Sequence, residues 1–360
     1  MTAVDTPLSV EEVEPIGLGP RDALVRIGAS GLCHSDLLFL AGVGRFPPPM
    51  VLGHEGAGTI AAVGAGVDPA RVGEPVVLTF TPACGRCRFC LQGRVNLCTT
   101  AARCMNDGVL PDGTTRLARG GEPLHHLALV SSFATHAVVP ANGAIPVPPE
   151  LDPAVACLLG CGVLTGVMAV TRRASVRPGD SVAVLACGGV GLAAVLGAAL
   201  VSAHPVIAVD PVASKRELAL RLGATHTVDP SAEDPVAAIR RIVAEGVDHA
   251  FEAIGIPAVA EQALAATRTG GTTVLIGQPA IGVSASVPVY ELTQFEHDVL
   301  GTHIGGATPA LDVPVLAALA VAGKLDLAPL VTTRFRLDEI GAAIDATRSG
   351  TAGRVVLDLA

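Results

Sequence analysis

The sequence predicts an α/β protein, with irregular β structure first and a doubly wound parallel sheet after it. Three observations lead there. The first 160 residues carry short apolar runs cut by Gly and Pro, the mark of many short strands. From about Val163 strands alternate with helices, which calls for right-handed crossovers and a parallel sheet. One of those strands runs directly into a glycine-rich turn and a helix start.

The elements follow in order. Ala23 to Ile27, Gly58 to Val63, Glu74 to Leu78 and Ala134 to Val139 read as strands of the first part. Ser181 to Leu185 opens the alternating part, followed by a helix from about Val190 to Ser202 and a strand from Pro205 to Val209. A helix from Ser214 to Leu222 is stopped by Gly223 as a C-terminal cap. Apolar runs at Val247 to Phe251 and Thr272 to Ile276 flank a helical pattern near Val259 to Ala266. Beyond His303 the pattern gives helices at Pro314 to Ala322 and Ile340 to Ser349 and a last strand at Arg354 to Leu359.

Composition narrows the function. The 360 residues suffice for two domains, and half are hydrophobic against 16% charged, so disorder is not expected. A net charge of −9, no Trp and a single Tyr argue against a nucleic-acid groove or a base-stacking platform. The N-terminal residues lack a basic region followed by an apolar core, so no secretory signal is expected. Val182 to Val201 is uncharged and long enough to span a bilayer, but Gly188, Gly189 and Gly191 break it into a strand and a helix start, so no membrane partner is expected.

Nine cysteines are not spread as a disulfide framework. Cys84, Cys87, Cys90 and Cys98 bunch with two, two and seven residues between them, so four thiolates can surround one tetrahedral ion on a compact loop. Such a site is closed and holds a lobe together. An iron–sulfur cluster also takes four cysteines, so the count leaves the metal open. A tight thiol cluster is at home in a reducing compartment, and a cytoplasmic location is expected.

A second constellation is dispersed: Cys33, His54 with Glu55 beside it, and Cys161. Two thiolates and an imidazole leave a fourth position open, as catalytic zinc requires. Asp36 is placed to accept a hydrogen bond from the distal nitrogen of His54 and fix its tautomer. Spacing alone does not assemble this set, because a lone Cys or His is more often a core residue.

The glycine-rich turn is Ala186-Cys187-Gly188-Gly189-Val190-Gly191, where backbone N–H groups and a helix N-terminus can approach a pyrophosphate. Ala186 replaces the usual first glycine. The next strand ends at Asp210, whose carboxylate can bind both ribose hydroxyls and would repel a 2′-phosphate, so NAD is preferred over NADP.

Taken together, these residues resemble the zinc-dependent medium-chain alcohol dehydrogenases over essentially the whole chain. The likeness is carried by Gly31-Leu-Cys33-His34-Ser35-Asp36, Gly53-His54-Glu55-Gly56-Ala57-Gly58, the Cys84 to Cys98 lobe, Gly160-Cys161-Gly162-Val-Leu-Thr165-Gly166 and the Gly188 to Asp210 unit. It implies a GroES-like β-rich catalytic domain (1–162), an inserted Rossmann domain binding NAD (163–303) and a C-terminal return to the catalytic domain (304–360). It also implies two zinc ions per chain and, in its long-loop branch, a homodimer.

Residue by residue, the resemblance makes Cys33, His54 and Cys161 the ligands of a catalytic zinc, with Glu55 beside it, and makes Cys84, Cys87, Cys90 and Cys98 the ligands of a structural one. It gives Ser35 the substrate proton and places His34, Gly188, Gly189, Val190, Gly191, Asp210, Lys215, Gly277 and Arg354 around the cofactor. Phe80, Leu127 and Ala128 align with the wall of the substrate pocket. Leu38 stands where many relatives carry a histidine that ends the proton relay, and His34 stands in place of an arginine.

The expected reaction is reversible hydride transfer between NAD and a primary alcohol, aromatic or of medium chain. A thiol-adduct formaldehyde dehydrogenase using glutathione or mycothiol is the nearest alternative, because the stretch from Cys98 to Pro111-Asp112-Gly113 and His125-His126 resembles that branch. The arginine that grips the glutathione carboxylate there falls on Ala102, with Arg103 beside it. A zinc-stabilised binding protein without chemistry is the alternative of another class.

Overall fold

The computed structural model describes residues 1–43 and 46–359. It divides into two compact units: Met1–Cys161 together with residues 308 onward, and Gly162–Ala307.

The first unit is built on a strand of eleven residues, β2 (Asp22–Leu32), after the short β1 (Glu14–Pro15). Val25 and Ile27 of β2 are wholly buried, while Arg26 between them is exposed, the alternation of a strand with one face in the core. Helix α1 (His34–Leu40) follows β2 directly. Then come β3 (Met50–Val51), β4 (Glu55–Val63), β5 (Pro75–Leu78), β6 (Leu117–Arg119), β7 (Glu122–His126), β8 (His136–Pro140) and β9 (Ala144–Pro146). β2 pairs antiparallel with both β4 and β8, and β5 joins β4 to β9. A smaller sheet has the order β1-β6-β7-β3.

The second unit holds β10 (Val182–Leu185), β11 (Val206–Val209), β12 (His226–Val228), β13 (Val247–Glu252), β14 (Thr267–Leu275) and β15 (Asp298–Gly301). Their order is β12-β11-β10-β13-β14-β15, and every pair is parallel. The order reverses between β10 and β13, and in open α/β sheets a ligand crevice lies beyond the strand ends at such a reversal. Helix α2 (Gly189–Leu200) starts there and buries every residue from Gly191 to Ala198. That burial accounts for the uncharged run after Val182, and no single helix among the described residues is long and apolar enough to cross a membrane.

The chain then returns to the first unit, where β16 (Val331–Arg336) and β17 (Arg354–Asp358) extend the large sheet to the order β16-β17-β2-β4-β5-β9. Two helices depart from the sequence reading. The one expected from Pro314 begins at Pro309, and Pro314 lies inside it. Pro309 suits a first turn, whereas Pro314, further in, has no N–H to give the carbonyl of Ala310 four residues before it. The helix Thr99–Asp107, not expected from the pattern, ends where Gly108 adopts the left-handed conformation at φ 67°.

Candidate functional site

Two metal-type clusters emerge from the first unit. In the lobe, the sulfurs of Cys84, Cys87, Cys90 and Cys98 all lie within 4.8 Å of one another, and none forms a disulfide. The loop winds around its own sulfurs. The N–H of Cys87 donates to Cys84 Sγ at 3.4 Å, and the N–H of Cys90 donates to Cys87 Sγ at 3.5 Å. Backbone donation from Cys90 holds the Cys87 thiol at about 5, and burial pushes Cys90 up to about 12. Cys84 and Cys90 sulfurs stand 3.9 Å apart. A tetrahedron of ~2.3 Å zinc–sulfur bonds has an edge of about 3.8 Å, close to that separation, so the four thiolates suit zinc.

The second cluster joins three distant segments. Cys33 lies between β2 and α1, His54 and Glu55 open β4, and Cys161 follows the turn Cys157–Gly160. Their donor atoms also lie within 4.8 Å of one another, and all four side chains are buried. Asp36 ties the arrangement together. One carboxylate oxygen accepts the Cys33 N–H at 2.9 Å, capping α1, and the other is 3.0 Å from His54 Nδ1. With Nδ1–H donated to Asp36, Nε2 is left with its lone pair free for a metal.

The buried donors shift one another's protonation. The Cys33 and Cys161 thiols share a hydrogen bond that pushes Cys33 well down and Cys161 well up. Burial opposes charge on His54, but Asp36 and then Cys33 outweigh it and raise its pKa. Burial raises Glu55 to about 7 against the pull of Arg354. Glu55 and Arg354 form a buried ion pair, with Gly31 making room: a Cβ there would lie 2.1 Å from Glu55 Oε2. The Arg354 pKa is raised, the neighbouring Glu55, Cys33 and Cys161 outweighing burial. The resemblance expects Arg354 beside the cofactor; the fold sets it against Glu55.

Around the cluster, the Phe80 ring meets His54 edge-on at 5.7 Å and Phe39 does so at 6.0 Å. Phe39 was not among the candidates from sequence; its signal was its place on α1, one turn beyond Ser35. Ser35 is half-buried, its hydroxyl 3.7 Å from Cys33 Sγ, while His34 is exposed and Leu38 half-buried. Leu127 and Ala128 are buried in the turn after β7, where Leu127 N–H bonds to Val51 and Ser131. Those bonds do not run to the cluster.

In the second unit, Ala186 adopts φ 77°, the left-handed conformation that explains a glycine preference at this turn. Gly191 packs so closely that a Cβ would lie 1.9 Å from the Ala186 carbonyl oxygen, whereas space beside Gly188 is open. Gly188 is the N-cap of α2, with Gly189 and Val190 in its first turn, and Gly277 packs on the backbone of Ile254 and Gly255. Asp210 is buried and bridges the two strand ends, accepting from Cys187 N–H at 2.7 Å and Val212 N–H at 2.9 Å. Lys215 is half-buried on α3 (Ala213–Arg221), and its neighbour Arg216 donates to the Asp210 carbonyl at 2.7 Å. An open cradle at a helix N-terminus beside a buried carboxylate fits the pyrophosphate and ribose of a dinucleotide.

Comparison with known proteins agrees with this geometry. Residues 19–149 match the alcohol dehydrogenase GroES-like domain and residues 189–320 match the zinc-binding dehydrogenase family. S-(hydroxymethyl)glutathione dehydrogenase of Synechocystis sp. is 38% identical, covering 98% of this chain and 97% of its own. The chain belongs to the zinc-dependent medium-chain alcohol dehydrogenase family.

Solved members of this dehydrogenase family share the whole fold. An alcohol dehydrogenase zinc-binding domain protein from Burkholderia ambifaria superposes with a TM-score of 0.95 at 38% identity, over 100% of this chain and 97% of the other. Benzyl alcohol dehydrogenase from Acinetobacter calcoaceticus gives 0.91 at 33% identity, over 97% and 94%. As a member of the family the chain is an oxidoreductase, with places for two zinc ions and a nicotinamide cofactor.

Proposed function

We propose that the protein oxidises primary alcohols with an apolar body, aromatic or of medium chain, to aldehydes with NAD, and catalyses the reverse. The observation that carries this reading is the convergence of Cys33, His54, Glu55 and Cys161 donor atoms within 4.8 Å. Cys33, His54 and Cys161 hold the catalytic zinc, and the Cys84, Cys87, Cys90 and Cys98 sulfurs hold the structural one. When bound, the catalytic ion supplies Lewis acidity toward the substrate oxygen, and the nicotinamide supplies the hydride acceptor.

The chain's own groups do the rest. Asp36 orients His54, and the rings of Phe39 and Phe80 shield it from water. Ser35 takes the hydroxyl proton; with Leu38 in the position a histidine would occupy, onward transfer goes to solvent. Arg354 balances Glu55 and keeps that carboxylate from competing with substrate for the ion. Gly188, Gly189, Val190 and Gly191 receive the pyrophosphate, with Gly277 nearby in the same unit, while Asp210 and Lys215 hold the ribose and Asp210 disfavours a 2′-phosphate.

Two further parts belong to this reading. Ile281, Val283, Val287, Val289 and Tyr290 expose apolar surface in a short stretch, which supports a homodimer. Nine unbridged cysteines support a reducing, cytoplasmic location.

A second reading, a dehydrogenase of thiol adducts of formaldehyde, is favoured by the name of the 38% identical relative. Against it, Ala102 offers no carboxylate grip, and Arg103 beside it donates to the Pro111 carbonyl at 3.5 Å. A panel of alcohols and aldehydes followed by NADH absorbance, with and without glutathione or mycothiol, separates the two. Turnover of benzyl alcohol or octanol without thiol is expected; turnover of formaldehyde only with a thiol would replace the first reading with the second.

A further inference from the structure

The first unit contains a cavity of about 430 Å³ that includes none of the metal-cluster residues. Its roof is the N-terminal segment. That segment is pinned at one end where Met1 and Met50 exchange backbone bonds, each 3.0 Å, and at the other where β1 pairs with β6. Glu11 on the segment forms an ion pair with Arg119 of β6 at 2.8 Å, closing one edge. The walls are apolar: Leu24, Leu52, Leu117, Leu124, Phe133 and Val138 all face it, and all but Leu24 are nearly or fully buried.

The polar groups around it say what it accepts. Ser131 is the buried polar side chain in the wall, and its hydroxyl is already used, donating to Val51 and accepting from Leu127. The others, Thr2, Ser9, Glu11, Thr135 and His136, are exposed, with Arg119 half-buried beside them. With no unpartnered buried side-chain polar atom among the described residues that line it, water gains little there, and apolar cavities of this kind stay dry or take an apolar guest. A charged guest would lose hydration with nothing to pair it. The volume falls in the range of small-molecule sites, and Met1 and Met50, flexible and polarisable, can mould to an irregular body.

We propose that this cavity is a second binding site, for a neutral molecule with an apolar aryl or alkyl body and a hydrogen-bonding tip at the rim. The site also has a route to the chemistry. Phe133 lines the cavity and packs against Gly53, next to His54, with its N–H bonded to the Leu52 carbonyl at 2.9 Å. A guest pressing on Phe133 and Leu52 therefore bears on the backbone that carries a metal ligand.

The neutral dye N-phenyl-1-naphthylamine tests the proposal on the zinc-loaded full chain, with oxidised cofactor in excess to fill the nucleotide cradle. Blue-shifted emission saturating at one dye per chain is expected. Ala134→Trp, which places an indole in the cavity from a half-buried wall position, should weaken binding at least tenfold, and Val13→Trp does the same from the roof. Cys161→Ala should leave dye binding as it is. Absence of saturable binding would overturn the proposal, as would wild-type affinity in both tryptophan variants. Loss of binding in Cys161→Ala would place the dye at the metal cluster and overturn it too.

Discussion

Asp36 holds His54 and the start of α1 with one carboxylate: Oδ1 is 3.0 Å from His54 Nδ1, and Oδ2 takes the Cys33 N–H at 2.9 Å. The backbone that carries one candidate ligand and the ring that carries another are thereby fixed by the same buried side chain.

Asp36→Asn tests this coupling. An asparagine has a single acceptor oxygen, so capping Cys33 turns its NH₂ toward Nδ1 and favours the wrong tautomer. Zinc affinity and kcat/KM are expected to fall by about 10- to 100-fold, as for other partners of metal-bound histidines. Zinc retained after dialysis against graded chelator, read by mass spectrometry, gives the first number, and the lobe zinc serves as the internal standard.

The legible part of this molecule was the local part. Cys84 to Cys98 declares itself because all four sulfurs come from fifteen consecutive residues. Cys33, His54 and Cys161 carry no such signal. Their meeting depends on β2, β4 and the Cys157–Gly160 turn packing together, so resemblance alone pointed to them. The same reason hid the Glu55–Arg354 pair, whose partners are 299 positions apart. Phe39 was missed because an aromatic on a short helix reads as core, and the Leu127 N–H is bonded to Val51 and Ser131.

Asp210 should decide between the two nicotinamide cofactors. Asp210→Gly removes the carboxylate proposed to hold the ribose, while Arg216 remains as a cation beside the same strand end. The ratio of kcat/KM for NAD over NADP is expected to fall by about 100-fold, the scale of losing a charged hydrogen bond plus a repulsion. An unchanged ratio would remove Asp210 from the ribose.

His126 should make stability depend on pH. It is fully buried, burial with Arg116 and His125 nearby lowers its pKa to about 4, and its Nε2 accepts the Arg116 N–H at 3.1 Å. Its Nδ1 has no partner among the described residues. The unfolded chain therefore binds the proton first, at about pH 6.5, so stability falls as pH drops from there to about 4 and levels off below. The full loss is about 3 kcal/mol. His126→Gln can still accept from Arg116 and should not show this slope; urea titrations of both proteins across that pH range give the difference.

The buried pair of Glu55 with Arg354 also sets a timetable. Synthesis runs from the N-terminus, so every donor of the inner cluster has left the ribosome once residue 161 is out, while β17 is still unmade. Until β17 docks against β2, Glu55 lacks the Arg354 guanidinium that meets it in the finished fold. The charge balance of this centre is thus completed by one of the last strands made, although its donors are among the earlier residues.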